Sequence, residues 1–457
     1  MNLIRSILIG YGSIAVLSVI LYIPKLVQYF YAFKRPPHVK ATKKRKIALV
    51  IPARRESAVI GDLFDSILKQ DYDKEFFDIN VIVKEEDDPT VEMARAIGAN
   101  VFVVKEQNCK GAALDGYFKT LGKEGRAQYD AFVIIDADAV ISPDYVSELN
   151  NALEHDFQIF LTRKFIKNYL GDRKSRTIIS NCSALNYPML DDLGNNYRTK
   201  HGIPLMMCGQ GMMLRRAVID ELDGWPYRTL TEDYELKMDC LLKGFTSMYY
   251  PYAVIYTEEV KEHKEGYTRR LRWVTGFSQC DKLYKKKIKG QAKQRGRYTA
   301  GEFEYLFSLY PLILFIVITI LTMFIGCGLA VWYATHGIKL WARSLILLTA
   351  MPFGIMYLLV FFYCSLAMLA YRDAFKPLGF WEKLGTLLFA PIFMLEYFPI
   401  FIQSRFLAKT SYDWAPISRN VYQKGEAAKK AADEQKKRTD EEESGEKSKE
   451  DVKSDKK

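Results

Sequence analysis

"FVIIDADAV", residues 132–140, sets four apolar residues directly before two aspartates that are separated by one alanine. An apolar run of this kind, rich in β-branched residues, predicts a buried strand. Its end carries paired negative charge. Asp shapes turns after strands, so a plain turn is one reading. A hard divalent cation is the other. Mg²⁺ or Mn²⁺ takes one or two carboxylates together with the phosphates of a substrate.

The same arrangement recurs earlier in the chain. "KIALVIPA" (46–53), "FDINVIVK" (77–84) and "NVFVVK" (100–105) read as further strands. Between them "SAVIGDLFDSILKQD" (57–71), "TVEMARAIG" (90–98) and "GAALDGYFKTLG" (111–122) have helical spacing. Strands alternating with helices imply an α/β domain with a mostly parallel, Rossmann-like sheet and right-handed crossovers. Ligands of such sheets sit beyond the carboxyl ends of the strands. "PARRE", "KEEDD" and "DADA" all fall there, so three charged strand ends converge on one edge.

Six motifs then follow one another in an order that resembles the membrane-embedded family 2 glycosyltransferases with a GT-A domain. That group includes cellulose, chitin and hyaluronan synthases and ceramide glucosyltransferases. The motifs are "VIPARRE" (50–56), "EEDDPT" (85–90), "DADA" (136–139), "GQGMMLRR" (209–216), "LTEDYEL" (230–236) and "RRLRW" (269–273). The resemblance implies inverting transfer of a hexose or N-acetylhexosamine from a UDP-sugar to a hydroxyl of a glycan or lipid acceptor. The product would be an exopolysaccharide or a glycolipid.

Departure of a nucleoside diphosphate builds negative charge, which a metal and cations stabilise. The resemblance implies Asp138 as the direct ligand of Mg²⁺ or Mn²⁺, with Asp136 nearer the nucleotide or a metal-bound water. It implies Ala53, Glu56, Glu85 and Asp88 around the nucleoside, where a carboxylate accepts from ribose or base. Lys110 would face the phosphates. Arg269 and Arg272 would fork onto phosphate oxygens, and Trp273 would offer a flat apolar face. Cys208, Gly209 and Gln210 would stand on the acceptor side, where glycine permits close approach. Asp233 would be the general base, its basicity raised by the neighbouring charge of Glu232.

Plainer roles stand beside these. Glu85 and Asp88 also read as solvated loop acids, and Thr231 or Asp233 as the N-cap of "YELKMDCLLKG". Cys208, with no base paired to it, reads as a packing residue rather than a nucleophile. Arg55 stands where the family usually has Asn, residues 84–88 replace a simple Asp-Asp-Gly, and Arg269 stands where Gln is usual.

Outside the domain at 46–289, whose end carries an expected interfacial helix, the chain is apolar or charged in blocks. Residues 7–31, 305–333 and 345–371 each exceed the roughly 20 residues that span a bilayer as a helix. Residues 384–407 are long enough too, but contain Pro391, Glu396 and Pro399. They read as a span, a re-entrant hairpin or an interfacial helix. "FKRPPHVKATKKRK" (33–46) is a basic flank that the positive-inside rule puts in the cytoplasm. The expectation is a multi-pass cell-membrane protein with a cytoplasmic catalytic domain, acting alone, as a homo-oligomer or with an export partner. Residues 424–457 are charged and poor in apolar side chains, and read as a disordered tail.

The 457-residue chain has a net charge of +11, which the basic flanks partly explain; no nucleic-acid recognition motif accompanies it. Its seven cysteines include no Cys-x-x-Cys pair, which argues against structural zinc or a disulfide framework. Two other classes remain at this stage. An inactive scaffold retaining the fold should have lost Asp138 or Asp233. A transporter should show facing polar residues in its spans, and only Glu396 is of that kind.

Overall fold

The computed structural model describes residues 27–307 and 310–407, together with residues 6, 9, 10, 13 and 20. The apolar segment at 7–31 lies largely, and the tail at 424–457 wholly, outside the described residues.

Eight strands form one sheet. They are β1 (Ile47–Pro52), β2 (Phe77–Val83), β3 (Asn100–Val103), β4 (Ala131–Ile134), β5 (Val140–Ile141), β6 (Ile159–Ile166), β7 (Met212–Arg215) and β8 (Ser247–Thr257). Their order is β3-β2-β1-β4-β7-β6-β8-β5. The first four pair in parallel, as their alternation with helices predicts. Beyond β4 the sheet is mixed. β7 runs antiparallel to both β4 and β6, β8 runs parallel to β6, and the short β5 is antiparallel to β8.

Alternation along the central strands builds a core on each face. Ile47, Leu49 and Ile51 pack with the helices Ile60–Ile67 and Pro89–Ala96. Ala48 and Val50 pack on the opposite face with Ala113, Leu114, Tyr117 and Phe118 of the helix Lys110–Ala127. Chain connections leave β1 in one direction and return to β4 on its other side. The strand ends of β1 and β4 therefore flank the switch point where a doubly wound sheet opens a ligand crevice.

β8 is irregular. Its register on β6 shifts between Thr162 and Arg163, where the partner jumps from Tyr250 to Val254. Pro251–Ala253 are thus extra residues. Val254 and Tyr256 join a third core with Cys364, Met368 and Tyr371 from the C-terminal helices.

Those helices are His263–Arg295, Ala300–Phe307, Tyr310–Thr335, Lys339–Ala370, Phe380–Leu395 and Tyr397–Leu407. Two stretches among the described residues are long and apolar enough to cross a membrane. They are Phe353–Ala370, with mean hydropathy 2.1, and Phe380–Leu407, with mean hydropathy 1.7. Met323–Thr335 is apolar but shorter.

The segment at 384–407 is two helices that meet at Glu396. The acid that interrupts its apolar run has two side-chain partners. Arg270, buried to 1 %, donates to Glu396, and His263 Nε2 lies 2.6 Å from its other oxygen. Arg270 also donates to the Phe393 carbonyl at 3.4 Å and lies 3.9 Å over the Phe393 ring. A buried guanidinium thus answers both the charge and the open helix end. Leu271 and Val274 pack on Ile400, which joins the long helix His263–Arg295 to this break.

Candidate active site

A cavity of about 1140 Å³ opens at the ends of β1 and β4 and runs toward the C-terminal helices. Ala53, Glu56, Lys110, Asp136, Asp138, Cys208, Gly209, Gln210, Glu232, Asp233, Arg269, Arg272 and Trp273 all line it. Residues spread over more than 200 positions of sequence are thereby brought to one surface.

Its centre is Lys110, the first residue of the helix Lys110–Ala127. The ammonium donates to Asp136 Oδ1 at 2.5 Å and to the Gly209 carbonyl at 3.3 Å, and lies 3.7 Å from Glu232 Oε1. Burial alone would favour its neutral form, but Asp136 and Glu232 outweigh that and hold it above its ordinary range.

Glu232 and Asp233 open the helix Glu232–Lys243. Burial pushes Glu232 up to about 7, against the pull of Lys110 and with the help of Asp233. Burial also raises Asp233, opposed by hydrogen bonds from the Tyr234 and Gly209 backbone. A Cβ on Gly209 would lie 3.1 Å from Lys110 Nζ, 3.4 Å from Glu232 Oε1 and 3.5 Å from Asp233 Oδ2. This backbone thus passes close against the charged cluster.

Thr231 stands at the cap position of that helix, but its side chain makes no capping bond. It packs instead on Gly276, where an added Cβ would come within 2.4 Å of its Oγ1. That close approach sets the long helix His263–Arg295 against the acidic pair. Cys208 keeps its proton, because burial pushes the thiol up to about 11. It does not serve as a thiolate at neutral pH.

Arg269 and Arg272, two of the cavity's arginines, differ in their partners. Arg269 pairs with Glu259 Oε2 at 3.3 Å, donates to the Glu258 carbonyl at 3.3 Å, and stacks 4.8 Å over Trp273. Arg272 donates to the Leu230 carbonyl at 3.3 Å. Among the described residues no carboxylate lies within salt-bridge distance of Arg272. Burial first, and Arg269 next, pull its guanidinium below its ordinary value. An anionic ligand would relieve both effects.

Glu85 and Asp88 do not line the cavity. Glu85 makes an exposed pair with Arg55 at 2.9 Å. Asp88 caps the helix Pro89–Ala96 through Thr90 N at 2.9 Å and accepts from Arg55 N at 2.6 Å. Arg55 has φ +56, a conformation costly for a side chain of its size, and Asp88 helps hold it there.

Two acids absent from the sequence reading join the wall: Glu258 and Glu259, immediately after β8. "VIYTEEV" (254–260) shows the same pattern as "VIIDADA", an apolar strand running into paired acids. Lys167 carries no such local signal. Fully buried, it donates to the Asp138 carbonyl at 3.1 Å and pairs with Asp62 at 2.9 Å, which fixes the backbone of the Asp136–Asp138 turn.

Residues 44–276, more than half of the chain, match the family described as "Glycosyltransferase like family 2". A poly-beta-1,6-N-acetyl-D-glucosamine synthase of Staphylococcus aureus (strain COL) is 21% identical over 250 residues, covering 54% of this chain and 58% of that protein. The probable glycosyltransferase YdaM of Bacillus subtilis (strain 168) is 22% identical over 259 residues, covering 53% and 60%. The chain therefore spans under two thirds of the length of these relatives. Among solved structures, the mannosyltransferase PcManGT from Pyrobaculum calidifontis, in complex with GDP-Man and Mn²⁺, is similar at 15% identity and a TM-score of 0.49. That match covers 75% of this chain and 97% of the other. With more than half of its residues matching the family model, the chain belongs to the family 2 glycosyltransferases.

Proposed function

We propose that the protein transfers a hexose or N-acetylhexosamine from a UDP-sugar to a hydroxyl acceptor, with inversion, at the cytoplasmic face of a membrane. The observation that carries this reading is one cavity holding two acidic pairs, Asp136–Asp138 and Glu232–Asp233, with Lys110 between them and Arg272, bonded to the Leu230 carbonyl, beside them.

The residues present fit a divalent metal of a particular kind. Among the described residues no group of three or more His, Cys, Asp or Glu side chains forms a protein-only metal site. Asp138 and Asp136 would supply the protein's share, with diphosphate oxygens and water completing the set, which is the habit of Mg²⁺ and Mn²⁺. Bound there, the metal would offset the charge of the departing diphosphate.

The chain's own residues do the rest. Arg272, whose donors are less engaged than those of Arg269, takes diphosphate oxygens in its planar fork. Lys110 contributes a second positive charge. Arg269, held by Glu259, braces Trp273 as a flat wall for the sugar. The acceptor oxygen attacks the anomeric carbon, the carbon–oxygen bond to the diphosphate breaks, and the hydroxyl proton passes to Asp233. UDP leaves and the configuration inverts.

The naming of the Staphylococcus aureus relative favours an N-acetylhexosamine polymer over a glycolipid. The membrane placement draws on Phe353–Ala370, on Phe380–Leu407 and on the basic flank at 33–46. From these we infer a multi-pass protein with its catalytic domain in the cytoplasm. Purified protein incubated with a panel of UDP- and GDP-sugars and with glycan or lipid acceptors, followed by mass spectrometry, tests the reading. A UDP-N-acetylhexosamine should be consumed and its sugar found on the acceptor. Consumption of a GDP-sugar alone rules out the assigned donor, and no transfer from any donor rules out the activity.

The acidic pair makes the rate depend on pH. A base must be unprotonated, so kcat falls as pH drops through the raised values of the pair, which titrates as a unit. Glu232→Gln removes the member of the pair that burial and the Asp233 charge push up to about 7. The acid limb of the kcat profile should then move to lower pH. A limb that stays in place, or moves up, removes this coupling from the mechanism.

A further inference from the structure

A second set of buried charges lies beside the cavity and takes no part in the chemistry above. Arg163 and Lys164 are neighbours on β6. Arg163 pairs with Asp192 at 3.0 Å and Lys164 with Asp191 at 3.6 Å, and no side chain of the four is more than 3% exposed. Ions are removed from water at a cost of several kcal/mol each, so such a network needs many internal partners. Asp191–Asn195 form a single π-helical turn between the helices Asn186–Leu190 and Asn196–Lys200. Turns of this type recur at functional sites.

The turn reaches in two directions. On one side it meets the end of the helix Lys339–Ala370. The Tyr371 hydroxyl donates to Asp191 Oδ2 at 3.3 Å. Arg163 donates to the Ala370 carbonyl at 3.4 Å and lies 4.3 Å over the Tyr371 ring.

On the other side it meets the active site. Asn195 is fully buried and grips the backbone of Met206 at both polar atoms. Its Oδ1 accepts from Met206 N at 2.9 Å, and its Nδ2 donates to Met206 O at 3.2 Å and to Asp191 Oδ1 at 3.2 Å. A carboxamide used this way supplies the donor and acceptor of a strand neighbour. Met206 leads directly into Cys208, Gly209 and Gln210. The far end of that segment is tied by Thr257, whose hydroxyl donates to Gln210 Oε1 at 2.7 Å.

We propose that Asn195 is the positioning residue for the acceptor-side segment 206–210, and that the end of the helix Lys339–Ala370 sets its placement through Tyr371 and Asp191. The inference rests on the glycosyltransferase reading above. It adds a physical link from an apolar helix to the groups that would receive the acceptor. Gly209 lies against Lys110, Glu232 and Asp233, so a shift of segment 206–210 moves the acceptor relative to the base while leaving the Asp136–Asp138 turn on its separate support at Lys167.

The test compares two reactions of one sample: sugar transfer to the acceptor, and the slower hydrolysis of the UDP-sugar by water. Water needs no acceptor-side alignment. Asn195→Ala should lower transfer by about 10- to 10²-fold, the scale of a misplacement of roughly 1 Å. Hydrolysis and UDP binding should be kept, so the transfer-to-hydrolysis ratio falls. Tyr371→Phe keeps the ring over Arg163 and removes only the hydroxyl. It should move the ratio in the same direction by less, and it carries the test if Asn195→Ala does not fold. A parent enzyme that consumes no UDP-sugar overturns the function reading and this one with it. A working parent whose variants keep the parent ratio, or lose both rates in proportion, overturns this inference alone.

Discussion

Asp233→Asn is expected to reduce turnover by about 10²- to 10⁴-fold, the usual worth of a positioned general base, while UDP binding stays close to that of the parent. The substitution keeps the shape and removes the proton-accepting charge. Binding of the nucleotide falls to other groups: Arg272, Lys110 and the Asp136–Asp138 turn, which Lys167 holds from behind. Calorimetry with UDP and Mn²⁺, set beside turnover, separates the two. Loss of UDP binding in the variant, or turnover near that of the parent, would take the base away from Asp233 and make Glu232 the next candidate.

Asp138→Asn should give the opposite split. Nucleotide binding in the presence of Mn²⁺ should weaken, and turnover should fall by on the order of 10²- to 10³-fold, as when one charge-stabilising group is removed from a transition state. In the parent, a chelator should abolish activity and added Mn²⁺ or Mg²⁺ should restore it. Full activity in Asp138→Asn, or in chelator, would remove the metal from the mechanism. The two variants are informative as a pair, because a general loss of folding would lower binding and turnover alike in both.

The parallel half of the sheet was legible because its signals are local. β1 to β4 are short apolar runs, each followed by a helical period, and their charged ends mark the crevice. β7 was not read as a reversing strand, because direction depends on partners distant in sequence. The strand-end rule that singles out Asp136 and Asp138 holds equally for Glu258 and Glu259 in "VIYTEEV". It says nothing of which way an acid turns. Asp88 and Glu85 satisfy it, yet one is consumed by a helix start and by Arg55 N, and the other by an exposed pair. Glu396 interrupts an apolar segment, and its partner Arg270 lies over a hundred residues earlier in the chain. Asn195 carries no local signal at all. Its use depends on a backbone partner 11 residues away and a tyrosine far along the chain.

The register shift in β8 sets limits on length variation. Side chains of a strand alternate between faces, so an odd number of extra residues exchanges the two faces downstream. Pro251–Ala253 are three such residues. Before them Met248 and Tyr250 belong to the core beneath β1, whereas after them it is Ile255 that does so. Val254 and Tyr256 thereby turn to the C-terminal helices, and Thr257 reaches Gln210. Deletion of one residue here would reverse that assignment and point the apolar side chains and Thr257 away from their partners. Deletion of two would preserve it. Among natural or designed variants that keep activity, length changes at this point should therefore come in even numbers.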